Sequence, residues 1–399
     1  MSVDNAILRA VKAQQKERSY RHRFYPTAEQ EFLLRGTIGS ARFIFNWGLA
    51  LRIAQYKRFK TGQSKQRPTY SWTSSELTKL KKNPEYKWLN EVSSIPLQQS
   101  LRHLEVGFKN FLNPKIPTRH PSTKKKRSGG SASFTRSGFQ YHPGRRELTL
   151  AKMKRPLKIR WSRKFAGDPS TVTVSLDAAG RWHVSLLVRE AIPTIPKAHG
   201  CIGIDVGITH FATLSTGEKI ENPRHLRRAQ KDLARKQRAL SRREPGSANR
   251  GKARIRVARA HAKVADSRRD FQHKLTTRLI RENQTICVES LNVSGMLKNR
   301  KLAKSIADAS WSEFFRQLEY KARWYGRDIV AMDRFFPSSK TCSACGTVLK
   351  KLPLSERSWA CACGVEHDRD INAAMNIRAA GLAVLTERSM PMEGVLVGA

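Results

Sequence analysis

Asp205 lies inside an apolar run, Ile202-Gly203-Ile204-Asp205-Val206-Gly207. Cys201 to Val206 reads as a buried strand broken by Gly207, and Phe211, Thr213 and Leu214 resume a second strand before the turn Ser215-Thr216-Gly217. A carboxylate in a buried strand is costly unless it is paired or holds a metal ion; the plainer alternative is a solvated Asp at a strand end. Thr285-Ile286-Cys287-Val288-Glu289-Ser290-Leu291 repeats the pattern of an apolar strand ending in one carboxylate. His367-Asp368-Arg369-Asp370-Ile371-Asn372-Ala373-Ala374 supplies acids at the start of a helix. Three acidic points on rigid elements are what a two-metal phosphodiester site requires, because two Mg²⁺ ions roughly 3.5–4 Å apart need shared carboxylates. Hard divalent cations also prefer oxygen ligands.

A second chemistry is written in cysteine. Cys342-x-x-Cys345 and Cys361-x-Cys363 flank a hairpin-like segment, and each pair is followed by a glycine, Gly346 or Gly364. Two close pairs of thiolates match a closed, structural Zn²⁺ site of the ribbon type, with the second pair one residue tighter than usual. Such a site has no open position for substrate. Cys201 and Cys287 fall on buried strands and read as packing residues.

The elements that must position these groups can be traced along the chain. Tyr20–Tyr25 reads as a strand ending at Pro26; Thr27 caps a helix, with Gln30 completing a capping box. Helical spacing continues through Phe32, Leu33, Ile38, Phe43, Ile44, Trp47 and Leu51, and a second helix follows Pro96 with Leu97, Leu101, Leu104, Phe108 and Phe111 on one face. From Asn113 to Gly144 the chain is rich in Pro, Ser, Lys and Gly and reads as a basic loop or linker containing Lys124-Lys125-Lys126-Arg127. Strands are expected at 148–150, 157–161, 172–176 and 182–188, the last two joined by the turn Asp177–Gly180. Beyond the Asp205 stretch, Arg224 to Arg259 holds 14 Lys or Arg against two acids. It reads as helices interrupted at Pro245-Gly246. Trp311, Phe314, Phe315, Leu318, Ala322 and Tyr325 form a further amphipathic helix, followed by the short strand Ile329–Met332.

Composition sets the partner class. The 399 residues carry 76 Lys and Arg against 32 acids, a formal charge of +44. That excess calls for a large polyanion, and nucleic acid is the default. The 224–259 stretch, including Arg235, Arg238, Arg242 and Arg254, is expected to track phosphates together with Lys124–Arg127, without reading sequence. No apolar run is long enough to span a bilayer, and Met1–Lys16 lacks the apolar core of a signal peptide. The expected setting is the cytosol, and six cysteines there argue for metal or buried thiols, not disulfides.

Taken together, these motifs resemble the TnpB family, insertion-sequence proteins similar to type V CRISPR nucleases. The matching stretches are Tyr20–Pro26 with Ala41-Arg42-Phe43, Gly203–Gly207, Val288–Leu291, Phe336–Cys342, and Cys363-Gly364 leading into His367–Ala374. The resemblance implies an α+β multidomain fold: a helical recognition lobe, a wedge-like β-barrel, and an RNase H-like RuvC nuclease domain with an inserted zinc ribbon. The expected boundaries are 1–26 and 114–196 for the basic loop and wedge, 27–113 for the helical domain, 197–334 and 367–385 for the nuclease domain, 335–366 for the ribbon, and 386–399 for a flexible tail. It implies RNA-guided DNA endonuclease activity, with a guide RNA transcribed from the transposon end, double-stranded target DNA, two catalytic Mg²⁺ and one structural Zn²⁺, and one chain acting on its RNA. In such systems base pairing reads the target and the protein reads a short flanking motif. Family members place their catalytic acids at positions matching Asp205, Glu289 and Asp370; Asp368, the alternative, could instead cap the helix that Asp370 begins. Tyr56, Lys57, Gln98 and Gln99 are weak candidates for reading the flanking motif, since Gln can contact adenine bidentately. A strand-transferring transposase and a non-cutting RNA-guided binder are the competing readings. Retention of a discrete RNA would separate guided cleavage from transposition.

Overall fold

In the computed structural model, residues 15–126, 129–192, 195–353 and 355–389 are described. The chain divides after Ala191 into two units. The first opens with β1 (Gln15–Phe24), α1 (Ala28–Lys60), α2 (Tyr70–Lys82) and α3 (Ser94–Leu112). The expected capping box begins α1: the Gln30 N–H donates to the Thr27 hydroxyl and the Thr27 N–H donates back to Gln30 Oε1. The α3 helix starts two residues before Pro96, not after it, because proline is tolerated in a first turn whose N–H groups have no helical partner.

Six strands follow: β2 (Gly130–Thr135), β3 (Phe139–His142), β4 (Glu147–Leu150), β5 (Ile159–Arg160), β6 (Pro169–Leu176) and β7 (Trp182–Ala191). Five of the unit's strands form an antiparallel sheet of order β2-β6-β7-β1-β5, and β3 and β4 form a separate hairpin. Among the described residues β2 pairs only with β6 and β5 only with β1, so these pairings make an open sheet, not the closed barrel expected. The expected loop over 113–144 also needs correcting, since it contains β2 and β3. Ala132 and Phe134 of β2 are buried, but the flanking small and hydroxyl residues disguise the alternation. Leu34 and Ile38 of α1 pack in the sheet core with Phe24, Phe134 and Val184, whereas Ile44 packs with Leu97 and Leu101 of α3.

The second unit contains β8 (Gly200–Val206), β9 (His210–Leu214), β10 (Lys219–Glu221), α4 (His225–Ser241), α5 (Ala248–Glu282), β11 (Asn283–Glu289), α6 (Val293–Met296), α7 (Ala303–Ala309), α8 (Trp311–Tyr325), β12 (Asp328–Met332), β13 (Ser358–Ala360), β14 (Glu366–Asp368) and α9 (Arg369–Ser389). Its main sheet has the order β10-β9-β8-β11-β12. The first three strands run antiparallel, while β8, β11 and β12 run parallel and are linked by helical crossovers, as parallel pairing demands. Period-2 alternation divides the side chains between two covered faces. Ile202, Ile204, Ile286 and Val288 pack with Leu279, Phe314 and Leu318 on one side. Cys201, Cys287, Val330 and Met332 pack with Ile377 of α9 on the other. The α9 helix runs through residues 386–389, so the expected tail at 386–399 begins within a helix; its remaining residues lie outside those described.

Candidate active site and zinc ribbon

The register places the first two acids. Ile204 of β8 lies opposite Val288 of β11, so Asp205 and Glu289, one residue further on, end neighbouring parallel strands. Both belong to the alternate set that includes Cys201 and Cys287, the face covered by α9. Asp370 stands in the first turn of that helix. Burial first, and then the charges of Glu289 and Asp370, push the Asp205 carboxyl well above the usual carboxylate range, against the pull of Arg369. A buried carboxylate whose ionisation is opposed by two neighbouring carboxylates belongs to a donor set suited to hard divalent cations, which would offset that repulsion.

The two acids at the helix start differ in their partners. Asp368 Oδ1 accepts the N–H groups of Asp370 and Ile371, both at 3.1 Å, which is an N-cap geometry, and its Oδ2 takes a 2.6 Å contact from Lys219 Nζ. Burial works against its charge, but Lys219 and these N–H groups hold its pKa below the ordinary value. Asp370 has a longer ion pair, 3.6 Å, to Arg357. Glu289 Oε1 accepts from the Ser338 hydroxyl at 2.6 Å.

Two glycines let α9 lie on the sheet. A Cβ on Gly203 would come within 2.0 Å of the Ala374 carbonyl oxygen and 2.7 Å of the Arg378 nitrogen. One on Gly381 would meet Cys287 Sγ at 2.2 Å. Gly203→Ala must therefore lift α9, and Asp370 with it, because the obstructing Ala374 and Arg378 atoms are backbone. The expected outcome is a loss of about 1–3 kcal/mol in stability, read as a lower Tm, together with loss of cleavage in a plasmid assay. An unchanged Tm would show that α9 is not seated as closely as described.

The four cysteines converge. All four Sγ atoms lie within 4.8 Å of one another, with Cys342–Cys363 at 3.7 Å and Cys345–Cys361 at 3.6 Å. A tetrahedron with Zn–S bonds of about 2.3 Å has edges of about 3.8 Å, so the spacing fits zinc. Hydrogen bonds with Thr347 hold the Cys345 thiol down at about 6, which favours the thiolate a metal needs. Among the described residues no other group of three or more Cys, His, Asp or Glu gathers its ligand atoms in this way. Sequence reading missed His367: its Nε2 lies 3.1 Å from Cys342 Sγ, and its ring packs on Trp359 at 4.6 Å between centroids. It missed Ser338 as well. The His-Asp-Arg-Asp run hinted at the first, but a lone serine carries no sequence signal.

Arg235, Arg238, Arg242 and Arg254 are exposed on the α4–α5 hairpin, and Arg235 also pairs with Asp232 at 2.9 Å. Arg235, Lys236, Arg243, Lys252 and Arg256 line a groove of about 690 Å³ between the two helices. The α4 start is capped from outside: buried Asp308 accepts the N–H groups of Leu226 and Arg227 and pairs with Arg268 at 3.0 Å. In the other unit Lys125 and Lys126 are exposed, and Arg127 lies outside the described residues. Lys124 is engaged: its ammonium stands 3.9 Å from the Phe45 ring centre, its backbone bonds both ends of the Asn46 amide, and desolvation lowers its pKa. Tyr56, Lys57, Gln98 and Gln99 are not brought together. The Gln pair starts α3, where Ser100 donates to the Ala41 carbonyl at 2.5 Å. Tyr56 and Lys57 lie near the far end of α1, about 22 Å further along at 1.5 Å per residue.

Family comparisons agree with this architecture. The family described as "Probable transposase" matches residues 183–300, a Cas12f1-like TNB domain matches 311–377, and a "Helix-turn-helix domain" matches 16–61. In this chain the last of these is β1 followed by the single helix α1. A Streptomyces pristinaespiralis protein, provisionally named an RNA-guided DNA endonuclease, is 52% identical across 93% of this chain and 90% of its own length. An Escherichia coli (strain K12) protein, provisionally given the same activity, is 32% identical across 94% of this chain and 95% of its own. Among solved structures, a Cas12f1 chain from a complex with sgRNA and target DNA aligns at TM-score 0.53 and 15% identity, covering 92% of this chain and 99% of that one. The chain belongs to the TnpB family. Among the described residues, no helix is long and apolar enough to cross a membrane.

Proposed function

We infer that this protein is an RNA-guided DNA endonuclease of a transposable element, cutting DNA at an RNase H-like, RuvC-type site formed by Asp205, Glu289 and Asp370. The observation that supports the reading is that Asp205 and Glu289 stand at the ends of the neighbouring parallel strands β8 and β11, and that the charges of Glu289 and of Asp370, in the first turn of α9, both act on Asp205. The names of the full-length relatives support it. Asp205 and Glu289, fixed by adjacent strands, and Asp370, carried by α9, would hold two Mg²⁺. When bound, these ions supply a metal-activated water and stabilise the leaving oxygen of an in-line displacement. The chain's own part is to fix the carboxylates: α9 seats Asp370, Asp368 caps that helix, and Ser338 orients Glu289. No serine, cysteine or histidine nucleophile is required. The basic α4–α5 hairpin and Lys125–Lys126 would track nucleic-acid phosphates, the strands of the first unit would serve as the wedge, and one chain would act with one guide RNA.

The test is purification from cells that also transcribe the element's end. A discrete RNA should remain bound, and the complex should cut a plasmid only where the RNA's guide is matched beside a short flanking motif. Protein that purifies free of RNA, or that joins DNA ends instead of hydrolysing them, would refute guided cleavage and favour strand transfer.

A further inference from the structure

Ser338 is a polar residue only 6% exposed, and its hydroxyl is committed to Glu289. Its backbone is equally committed. The Ser338 carbonyl accepts from Asn376 Nδ2 at 2.7 Å, and the same amide donates to the Thr341 carbonyl at 2.6 Å. Asn372, one turn earlier on α9, donates to the Thr341 carbonyl at 2.7 Å and accepts the Ser343 N–H at 3.0 Å. Thr341 and Ser343 flank Cys342, whose sulfur also meets His367. His367 directly precedes Asp368, the cap of the helix that carries Asp370. Two routes of hydrogen bonds and adjoining backbone thus join the cysteine cluster to the acids, one reaching Glu289 through Ser338 and the other reaching Asp370 through His367 and Asp368.

We propose that Ser338 is a positioning residue through which the zinc-folded turn at 338–343 fixes the Glu289 carboxylate for the divalent cation. The proposal rests on the reading of the three acids as the cation site. A Glu side chain at a strand end has several rotamers. A buried hydroxyl donating to Oε1 selects one and leaves Oε2 for an ion. Outer partners of this kind typically change metal affinity or activity 10–100-fold when removed. Asn372 and Asn376 make the selection depend on the cluster, because they clamp the turn between Ser338 and Cys342 against α9.

The experiment follows Mn²⁺ binding to the full-length protein by the electron paramagnetic resonance of free Mn²⁺, counting only sites that Asp205→Ala removes. Ser338→Ala should weaken those sites about tenfold and raise by a similar factor the Mg²⁺ needed for half-maximal cutting. RNA and target binding should be unchanged, and Ser338→Thr, which keeps the hydroxyl, should restore most of the loss. In the wild type, stripping zinc with a zinc-selective chelator that is then removed should weaken the same sites, and adding zinc back should reverse it. Unchanged Mn²⁺ affinity in Ser338→Ala, equal weakening in Ser338→Thr, or no effect of zinc removal would overturn the proposal. If Ser338→Ala fails to fold, Ser338→Cys, whose thiol donates only weakly, takes its place with the same expected weakening, and unchanged Mn²⁺ affinity there would overturn the proposal. If Asp205→Ala removes no Mn²⁺ site, the acid site itself has been misplaced.

Discussion

Asp205→Ala should abolish DNA cleavage, with a fall on the order of a thousandfold or more in the single-turnover rate, while binding of RNA and target stays close to wild type. A large loss is expected because Asp205 feels the charges of both Glu289 and Asp370, and in the proposed two-metal site its removal would leave the ions without a shared ligand. Binding survives because the acids stand where like-charged phosphate approaches. Glu289→Ala and Asp370→Ala should behave alike. Asp368→Ala should retain partial activity, since its contacts are those of a helix cap and a Lys219 pair. The metal-free protein supplies an independent sign. The folded-state pKa of Asp205 is raised, so over the window between its ordinary value and the raised one the folded state holds a proton that the unfolded state has lost, and stability falls as pH rises. Asp205→Asn should therefore raise the Tm of metal-free protein at neutral pH. Mg²⁺ should raise the Tm of wild type and not of Asp205→Asn. Wild-type cutting by Asp205→Ala, or cutting in excess chelator, would remove the two-metal reading.

The parts of this molecule that sequence made legible are those where one residue type can do one thing. A carboxylate interrupting Ile202, Ile204 and Val206 announces itself, and so does the same event at Glu289. The alternation that marks the strands also places both acids on the face opposite those apolar side chains. Paired cysteines are legible for the same reason. What sequence hid is contact made by ordinary polar groups. Ser338, Asn372, Asn376 and His367 look like surface residues until α9 is laid across the sheet. That placement depends on the absence of a side chain at Gly203 and Gly381, which gives no apolar pattern to read. Arg52 is similar: it looks like a solvated cation on α1, yet it is buried against Thr73 and Glu105. The α2 helix leaves no apolar stripe in the sequence, because only Thr73 and Leu77 are buried along it. The strands of 130–142 are masked by Ser, Thr and Gly, which break up their apolar alternation.

Replacing Cys342 by Ser should release the zinc, unfold the 341–368 insert and reduce cleavage to the level of the acid-site variants. Four cysteine sulfurs within 4.8 Å of one another can all ionise only with a cation among them, and the insert has little else to fold it. Its apolar core is Leu352, Trp359, Cys342 and Cys361 with Leu349 beside them, and its regular structure is the short pair β13–β14 and one bridge between Thr341 and Val348. A core of that size falls well short of the cost of ordering nearly thirty residues, each about 1–2 kcal/mol of backbone entropy. Structural zinc, with an apparent binding free energy of about 10–16 kcal/mol in small domains, supplies a large share of what the core lacks. Cys342 should be the most damaging of the four to lose. It is buried, touches His367 and sits between the two residues that Asn372 holds to α9. Cys345 and Cys363 are exposed, so serine there should lower zinc affinity with less collapse of the surrounding packing. Elemental analysis should find about one zinc per wild-type chain and almost none in Cys342→Ser, and proteolysis should cut the variant first within 341–368. Zinc-free protein with an intact, protease-resistant insert and full cleavage would show that hydrogen bonding to α9 is enough to fold it.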